Sequence, residues 1–103
     1  MVYKLNVTEH ADELLDHHVL HLITRLKNKQ AAQHLLDSID VIYDRLEENP
    51  FQFPECRDAY LFRKGYREAV VPQMDYIIIF EVRADVVNVL GIFHQLENYQ
   101  NKL

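Results

Sequence analysis

Residues 64–94 read KGYREAVVPQMDYIIIFEVRADVVNVLGIFH, and this stretch decides the fold. It contains three runs rich in β-branched and aromatic residues, which are Tyr66–Val71, Tyr76–Val82 and Val86–His94. Two short polar breaks separate the runs, and each break is short enough for a local reversal of the chain. The stretch therefore predicts an antiparallel meander. Tyr76–Val82 is predicted to be central, because its apolar residues do not alternate with polar ones.

Upstream of the meander, the chain has one strand pattern and two helical patterns. Val2–Val7 alternates apolar and polar residues, as a strand with one buried face does. Thr8 and Asn28 are suitable N-caps and predict helices over Glu9–Lys27 and Lys29–Glu48, each with a periodic apolar stripe. The short link predicts a helical hairpin that covers one face of the sheet. The predicted fold class is α+β, in the order β-α-α-β-β-β, with the other face of the sheet open.

The length and composition fit a single domain over residues 1–103. Hydrophobic residues make up 49% of the chain and charged residues 26%, which is typical of a globular protein. No apolar run approaches the roughly 18 residues that a membrane span needs. The first residues have a strand pattern and not that of a signal peptide, so we expect a cytoplasmic protein with no membrane partner. Cys56 is the only cysteine, which excludes an internal disulfide.

The charges are distributed unevenly along the chain. The formal net charge of −5 disfavours a general nucleic-acid binder, and residues 9–49 carry most of the acidic excess. In the second half, four basic residues fall close together: Arg57, Arg63, Lys64 and Arg67. They predict a local anion-attracting patch on the sheet.

Four short motifs occur in a definite order: ENP at 48–50, KGYR at 64–67, YIIIFEV at 76–82 and IFH at 92–94. In this order they resemble the RelE/ParE superfamily of toxins from type II toxin–antitoxin systems, a group that includes plasmid stabilisation proteins. The resemblance extends over the chain from Tyr3 to Leu103. It implies a RelE-like fold, a cognate antitoxin whose C-terminal segment wraps the toxin, and no cofactor.

Two activities occur in that superfamily. RelE-like members are mRNA interferases, endoribonucleases that cut messenger RNA in the ribosomal A site, whereas ParE-like members bind and poison DNA gyrase without cutting RNA. Arg67 matches a strand position that is often basic in the family. His94 matches the histidine that some nuclease members use as acid or base, a role that suits the unperturbed pKa of the imidazole.

The resemblance thus implies an RNA-cleaving site with Arg67 and His94 as its catalytic residues. Phosphate binding is expected from Arg57, Arg63 and Lys64, and base stacking from Tyr66 and Tyr76. Because Arg67 and His94 match positions used by nuclease members, the resemblance favours ribosome-dependent mRNA cleavage. The nuclease members, however, commonly carry further arginines where this chain has Asp75-Tyr76-Ile77 and Gly91-Ile92-Phe93. Gyrase inhibition is therefore the alternative, and a catalytically decayed interaction module is a third interpretation.

The same residues also have structural explanations. Arg63, Lys64 and Arg67 are also the kind of charged residue that a solvated edge strand carries to prevent pairing with other sheets. A histidine at the end of a strand, such as His94, often makes only structural hydrogen bonds. His17, His18 and His21 suggest a metal site, and Glu13, His17 and His21 lie at i, i+4 and i+8 on one helix face, but the helix lacks the HExxH arrangement. A solvated polar face explains them equally well, so we predict no bound metal.

Overall fold

The structure, a computed structural model, describes residues 2–103. The chain forms a strand, a helical hairpin, a short third helix and a three-stranded meander. The elements are β1 (Lys4–Val7), α1 (Glu9–Thr24), α2 (Lys29–Glu48), α3 (Ala59–Arg63), β2 (Arg67–Val70), β3 (Tyr76–Arg83) and β4 (Val86–His94). Single 3-10 turns occur at Pro50–Gln52 and Tyr99–Lys102. The order of the main elements confirms the predicted α+β class.

The four strands form one sheet in the order β1-β4-β3-β2. β3 lies between β4 and β2 and pairs antiparallel with both, so its predicted central position is confirmed. The sheet is nevertheless mixed and not wholly antiparallel, because β1 pairs parallel with β4. The helical hairpin supplies the long crossover that a parallel neighbour requires, since it separates β1 from the meander in the chain.

The two predicted N-caps define the helical hairpin. The Thr8 hydroxyl accepts the Ala11 N–H at 3.2 Å, and the Asn28 side chain accepts the Ala31 N–H at 3.0 Å. α1 ends at Thr24, earlier than predicted, because Lys27 adopts a positive φ of 50° and turns the chain toward α2. None of the helices among the described residues combines the length and apolar character needed to cross a membrane.

Apolar side chains pack against both faces of the sheet. The hairpin covers the face that carries Ile78 and Phe80. On the other face, Ile77, Ile79 and Phe93 are fully buried in a second, smaller core. Cys56 and Leu61 complete this core, with Leu14, Tyr66, Tyr99 and Leu103 packed against it.

The prediction that this face of the sheet is open is therefore wrong. The loop after α2, α3 and the residues after β4 supply its cover, although none of these segments has a hydrophobic period in the sequence. The unbroken apolar run of β3 required such a cover, because a strand with apolar residues on both sides must be buried on both sides.

Candidate functional site

The two predicted catalytic residues lie on the same face of the sheet but do not share a site. Arg67 pairs with Phe80 across β2 and β3, whereas His94 pairs with Tyr76 across β4 and β3. Directly paired residues project from the same face, and here it is the face that the hairpin covers. Phe80 and Tyr76 are separated by about 13 Å along β3, at roughly 3.3 Å per residue. The structure therefore does not bring Arg67 and His94 together.

Arg67 is held by contacts with the loop after α2. Its Nη1 donates to the Phe53 carbonyl oxygen at 2.7 Å, and its Nη2 lies 3.8 Å from Glu55 Oε1. The guanidinium carbon lies 4.9 Å from the centroid of the Phe51 ring. These contacts hold the loop after α2 against β2. The guanidinium of Arg67 is therefore engaged by groups of the chain itself.

Arg57 is also engaged with a carboxylate of the chain. The carboxylate of Glu68 is buried, and it accepts both the Arg57 backbone N–H and Arg57 Nε, each at 2.9 Å. The Arg57 side chain itself is 68% exposed. A buried carboxylate needs such partners, because an unpaired charge in the interior is costly. Arg57 thus neutralises Glu68 and anchors the loop before α3.

Lys64 and Tyr66 lie beside α3. The Lys64 Nζ is 4.7 Å from the centroid of the Tyr60 ring and 5.6 Å from that of Tyr66, and it donates to the Leu103 carbonyl oxygen at 3.2 Å. The hydrogen bond to Tyr60 is the main cause that raises the pKa of Lys64. Arg63, at the end of α3, is exposed. Three of the predicted phosphate-binding and stacking residues, Arg63, Lys64 and Tyr66, therefore gather around α3.

Tyr76 is enclosed between two histidine rings. The His18 ring is 5.0 Å away and the His94 ring 5.4 Å away, both in edge arrangements. Only 6% of Tyr76 is exposed, and burial raises the pKa of its hydroxyl. The structure does not present either ring face for stacking on a base.

A pocket of about 440 Å³ opens where α1 meets the end of β4. It is lined by Leu14, His17, His18, His21, Tyr76, His94, Glu97 and Lys102. His18 is buried, as Tyr76 is, and its Nε2 lies 2.7 Å from the Ile92 carbonyl oxygen, which assigns the ring proton to Nε2. Burial lowers the pKa of His18, although that hydrogen bond and Glu97 act in the opposite direction. His18 is therefore neutral at neutral pH.

The other polar groups of the pocket are hydrogen-bonded to one another. The His94 backbone N–H donates to Glu97 Oε1 at 2.9 Å, and the His94 Nδ1 accepts the Leu96 N–H at 3.2 Å. Lys102 Nζ donates to Glu97 Oε2 at 2.6 Å. Burial by itself would raise the pKa of Glu97, but Lys102 and the His94 N–H lower it overall. The Lys102 cation that lines the pocket is thus already paired with a carboxylate.

The histidines of α1 do not form a metal centre. Within residues 2–103, no three His, Cys, Asp or Glu side chains converge closely enough to hold a metal ion. His17 and His21 are exposed on α1, in agreement with a solvated polar face.

Sequence reasoning missed two features of the structure, the helix α3 and the burial of His18. α3 follows Asp58, whose side chain accepts the Leu61 N–H, so an acidic N-cap was the available signal. His18 lies four residues from both Leu14 and Leu22, which places it in the apolar stripe of α1. That spacing indicates a buried histidine, whereas the runs of neighbouring histidines suggested a polar face.

Comparisons with known proteins agree with this architecture. Residues 5–99 match the family described as "ParE toxin of type II toxin-antitoxin system, parDE". No curated protein matches the chain at a significant level. A solved structure described as "Chromosomal ParDE TA system from P. aeruginosa" superposes with a TM-score of 0.72, covering 90% of this chain and 96% of that chain at 18% identity. At this identity the likeness is one of fold, and it confirms the RelE-like fold.

Proposed function

This chain belongs to the ParE toxin family of type II toxin–antitoxin systems, and on that premise we propose that it acts by binding a protein target, DNA gyrase, and not by cutting RNA. Gyrase is the target that the sequence resemblance implies for ParE-like members. The proposal includes a cognate antitoxin that neutralises the chain by binding it. The family description and the ParDE system with the same fold support that partner.

The separation of Arg67 and His94 is the observation that carries the choice of mechanism. Cleavage of RNA through the ribose 2′-OH needs a proton acceptor, an acid for the leaving oxygen and cations on the phosphate, all within hydrogen-bond reach of one substrate. Arg67 is held by Phe53 and Glu55, at a distance from the pocket of His94. A binding mechanism needs no such convergence, and the acidic character of the chain disfavours close contact with ribosomal RNA.

The two mechanisms make opposite predictions for His94→Ala. Under gyrase binding, cells that express this variant stop growing as they do with the unchanged chain, because the imidazole performs no chemistry. Purified unchanged protein and His94→Ala should both inhibit the supercoiling of relaxed plasmid by DNA gyrase. Messenger RNA mapped after induction should show no new cuts inside coding sequence.

The same experiment would detect RNA cleavage, the alternative mechanism. New cuts in coding sequence that disappear with His94→Ala, at unchanged thermal stability of the variant, would overturn the proposal. Supercoiling that proceeds unaffected by the unchanged protein would also overturn it.

A further inference from the structure

The exposed surface of α3 combines aromatic and basic side chains. We define the α3 patch as Tyr60, Phe62, Arg63 and Lys64. Tyr60 is 46% exposed and Phe62 is 52% exposed, whereas Leu61 between them is fully buried. Half-exposed large aromatic rings are characteristic of the centre of protein interfaces, and with arginine they supply most binding hot spots.

The backbone that carries the patch is held firmly. Leu61 is buried in the second core, and the Asp58 side chain caps the helix by accepting the Leu61 N–H at 3.0 Å. Two further backbone bonds close the C-terminal end, from Tyr66 N–H to the Leu61 carbonyl at 3.1 Å and from Gly65 N–H to that of Phe62 at 2.9 Å. Gly65 permits this closure because it adopts a φ of 81°. A surface held in this way loses little conformational entropy when a partner binds.

The charge around α3 is opposite to that of the hairpin. Residues 57–67 contain four basic residues and one acidic residue, Asp58, whose carboxylate is used at the helix cap. Arg57 and Arg67 are paired with Glu68 and Glu55, so Arg63 and Lys64 supply the positive charge of the patch. Arg63 is exposed, and the Lys64 Nζ lies between the rings of Tyr60 and Tyr66. The acidic excess of the chain is concentrated in residues 9–49. The α3 patch therefore favours a partner surface that supplies carboxylates together with an apolar side chain.

We propose that the α3 patch is the surface through which the toxin engages its protein target, and that the target segment seated there is acidic. The identification of that target as gyrase rests on the function proposed above, whereas the role of the patch does not. Phe62 and Tyr60 would contact the apolar part of the segment, and Arg63 and Lys64 its carboxylates. A nucleic-acid partner is disfavoured, because the net charge of the chain is −5.

Two patch variants and two matched controls test this proposal. Phe62→Ala removes an exposed aromatic ring, and Leu20→Ala is its control on α1, where Leu20 is 59% exposed. Arg63→Glu reverses an exposed charge, and Lys4→Glu is its control on β1, which forms the other edge of the sheet from β2. All four variants should remain folded, because none of the four positions is buried. Thermal melting checks this.

Two measurements are made on each variant. The first is growth after induced expression without antitoxin, which assumes nothing about the identity of the target. The second is the protein concentration that half-inhibits plasmid supercoiling by purified DNA gyrase. Each patch variant should relieve growth inhibition and raise that concentration about ten-fold, whereas the controls should leave both unchanged. The effect of Arg63→Glu should diminish at high salt.

The outcomes separate this inference from the proposed function. If the patch variants restore growth but the unchanged protein does not inhibit gyrase, the patch stands and the target is another protein. If Phe62→Ala and Arg63→Glu remain fully toxic, the patch is not the target surface. A benzoyl-phenylalanine at position 62 that crosslinks to RNA in induced cells would also overturn the proposal.

Discussion

At the scale of single residues, the hydroxyl of Tyr43 is an unusual polar group. Its oxygen is buried, and no described residue forms a hydrogen bond with it. Burial, followed by the charges of Asp12 and Asp40, raises the pKa of this hydroxyl to about 12. The hydroxyl group therefore remains protonated in the folded protein and has lost its hydration without gaining a partner.

We predict that Tyr43→Phe stabilises the protein. Removing an unpaired buried hydroxyl should raise the free energy of unfolding by about 1 kcal/mol. Urea denaturation should show a higher midpoint with an unchanged slope. A loss of stability of similar size would mean that the hydroxyl has a partner in solution.

Buried His18 makes stability sensitive to mild acid. Its pKa is lowered below the ordinary value of 6.5 by burial, so the unfolded chain takes up a proton at this position before the folded chain does. Stability contributed by neutral His18 is therefore present above pH 6.5 and is lost as the pH falls below that value. Glu97 acts in a separate range, because its lowered pKa places its effect below 4.5.

We predict that His18→Gln flattens the stability profile as the pH falls below 6.5. The glutamine amide can donate to the Ile92 carbonyl oxygen but takes up no proton in this range. The measurement is thermal melting across this pH range, with His21→Gln on the exposed side of α1 as the control. An unchanged slope in His18→Gln would show that another group is responsible.

At the scale of elements, the loop between α2 and α3 is fastened to β2 by side chains. Arg67 contacts Phe51, Phe53 and Glu55, all from this loop. The Glu68 N–H also donates to the Pro54 carbonyl at 3.0 Å, so backbone and side chains act together. The junction joins the end of the hairpin to the edge of the sheet.

We predict that Arg67→Ala lowers the free energy of unfolding by about 2 kcal/mol, since the Phe53 carbonyl loses a charged donor. Arg63→Ala, on the exposed surface of α3, should change stability by less than about 0.5 kcal/mol. Chemical denaturation of both variants provides the comparison. Equal stability of Arg67→Ala and the unchanged protein would refute the structural role of this arginine.

At the scale of the whole molecule, the sheet separates two cores of different size. The larger core lies under the hairpin, and the smaller one is closed by α3 and by the residues after β4. Tyr99 stacks on Phe93 with ring centroids 5.6 Å apart and covers this smaller core. The C-terminal residues are thus part of the fold, although their sequence has no clear period.

We predict that Tyr99→Ala destabilises the protein by about 2 kcal/mol, roughly half the loss for a fully buried aromatic residue. It should also increase the fluorescence of a dye that binds exposed apolar surface, because Phe93 loses its cover. Leu96→Ala is the control, since Leu96 is 89% exposed. Equal dye fluorescence in both variants would mean that the second core does not depend on Tyr99.

Most elements could be predicted from local signals. The bounds of α2 and β4, the caps Thr8 and Asn28, and the central position of β3 agree with the structure. These features depend on hydrogen bonds and hydrophobic periods within a few residues, which a single sequence displays directly. The candidate site was less predictable, because residue type and family position indicated Arg67 and His94 but not the distance between them.

The sequence by itself determined the elements other than α3, their order and the toxin family. Only the tertiary structure decided that β1 lies parallel to β4, that Arg67 is bound to the loop after α2, and that a second core covers the outer face of the sheet. The physical reason is that these facts depend on contacts between residues far apart in the chain, where strand register selects each neighbour. Composition and local periodicity contain no information about these long-range contacts.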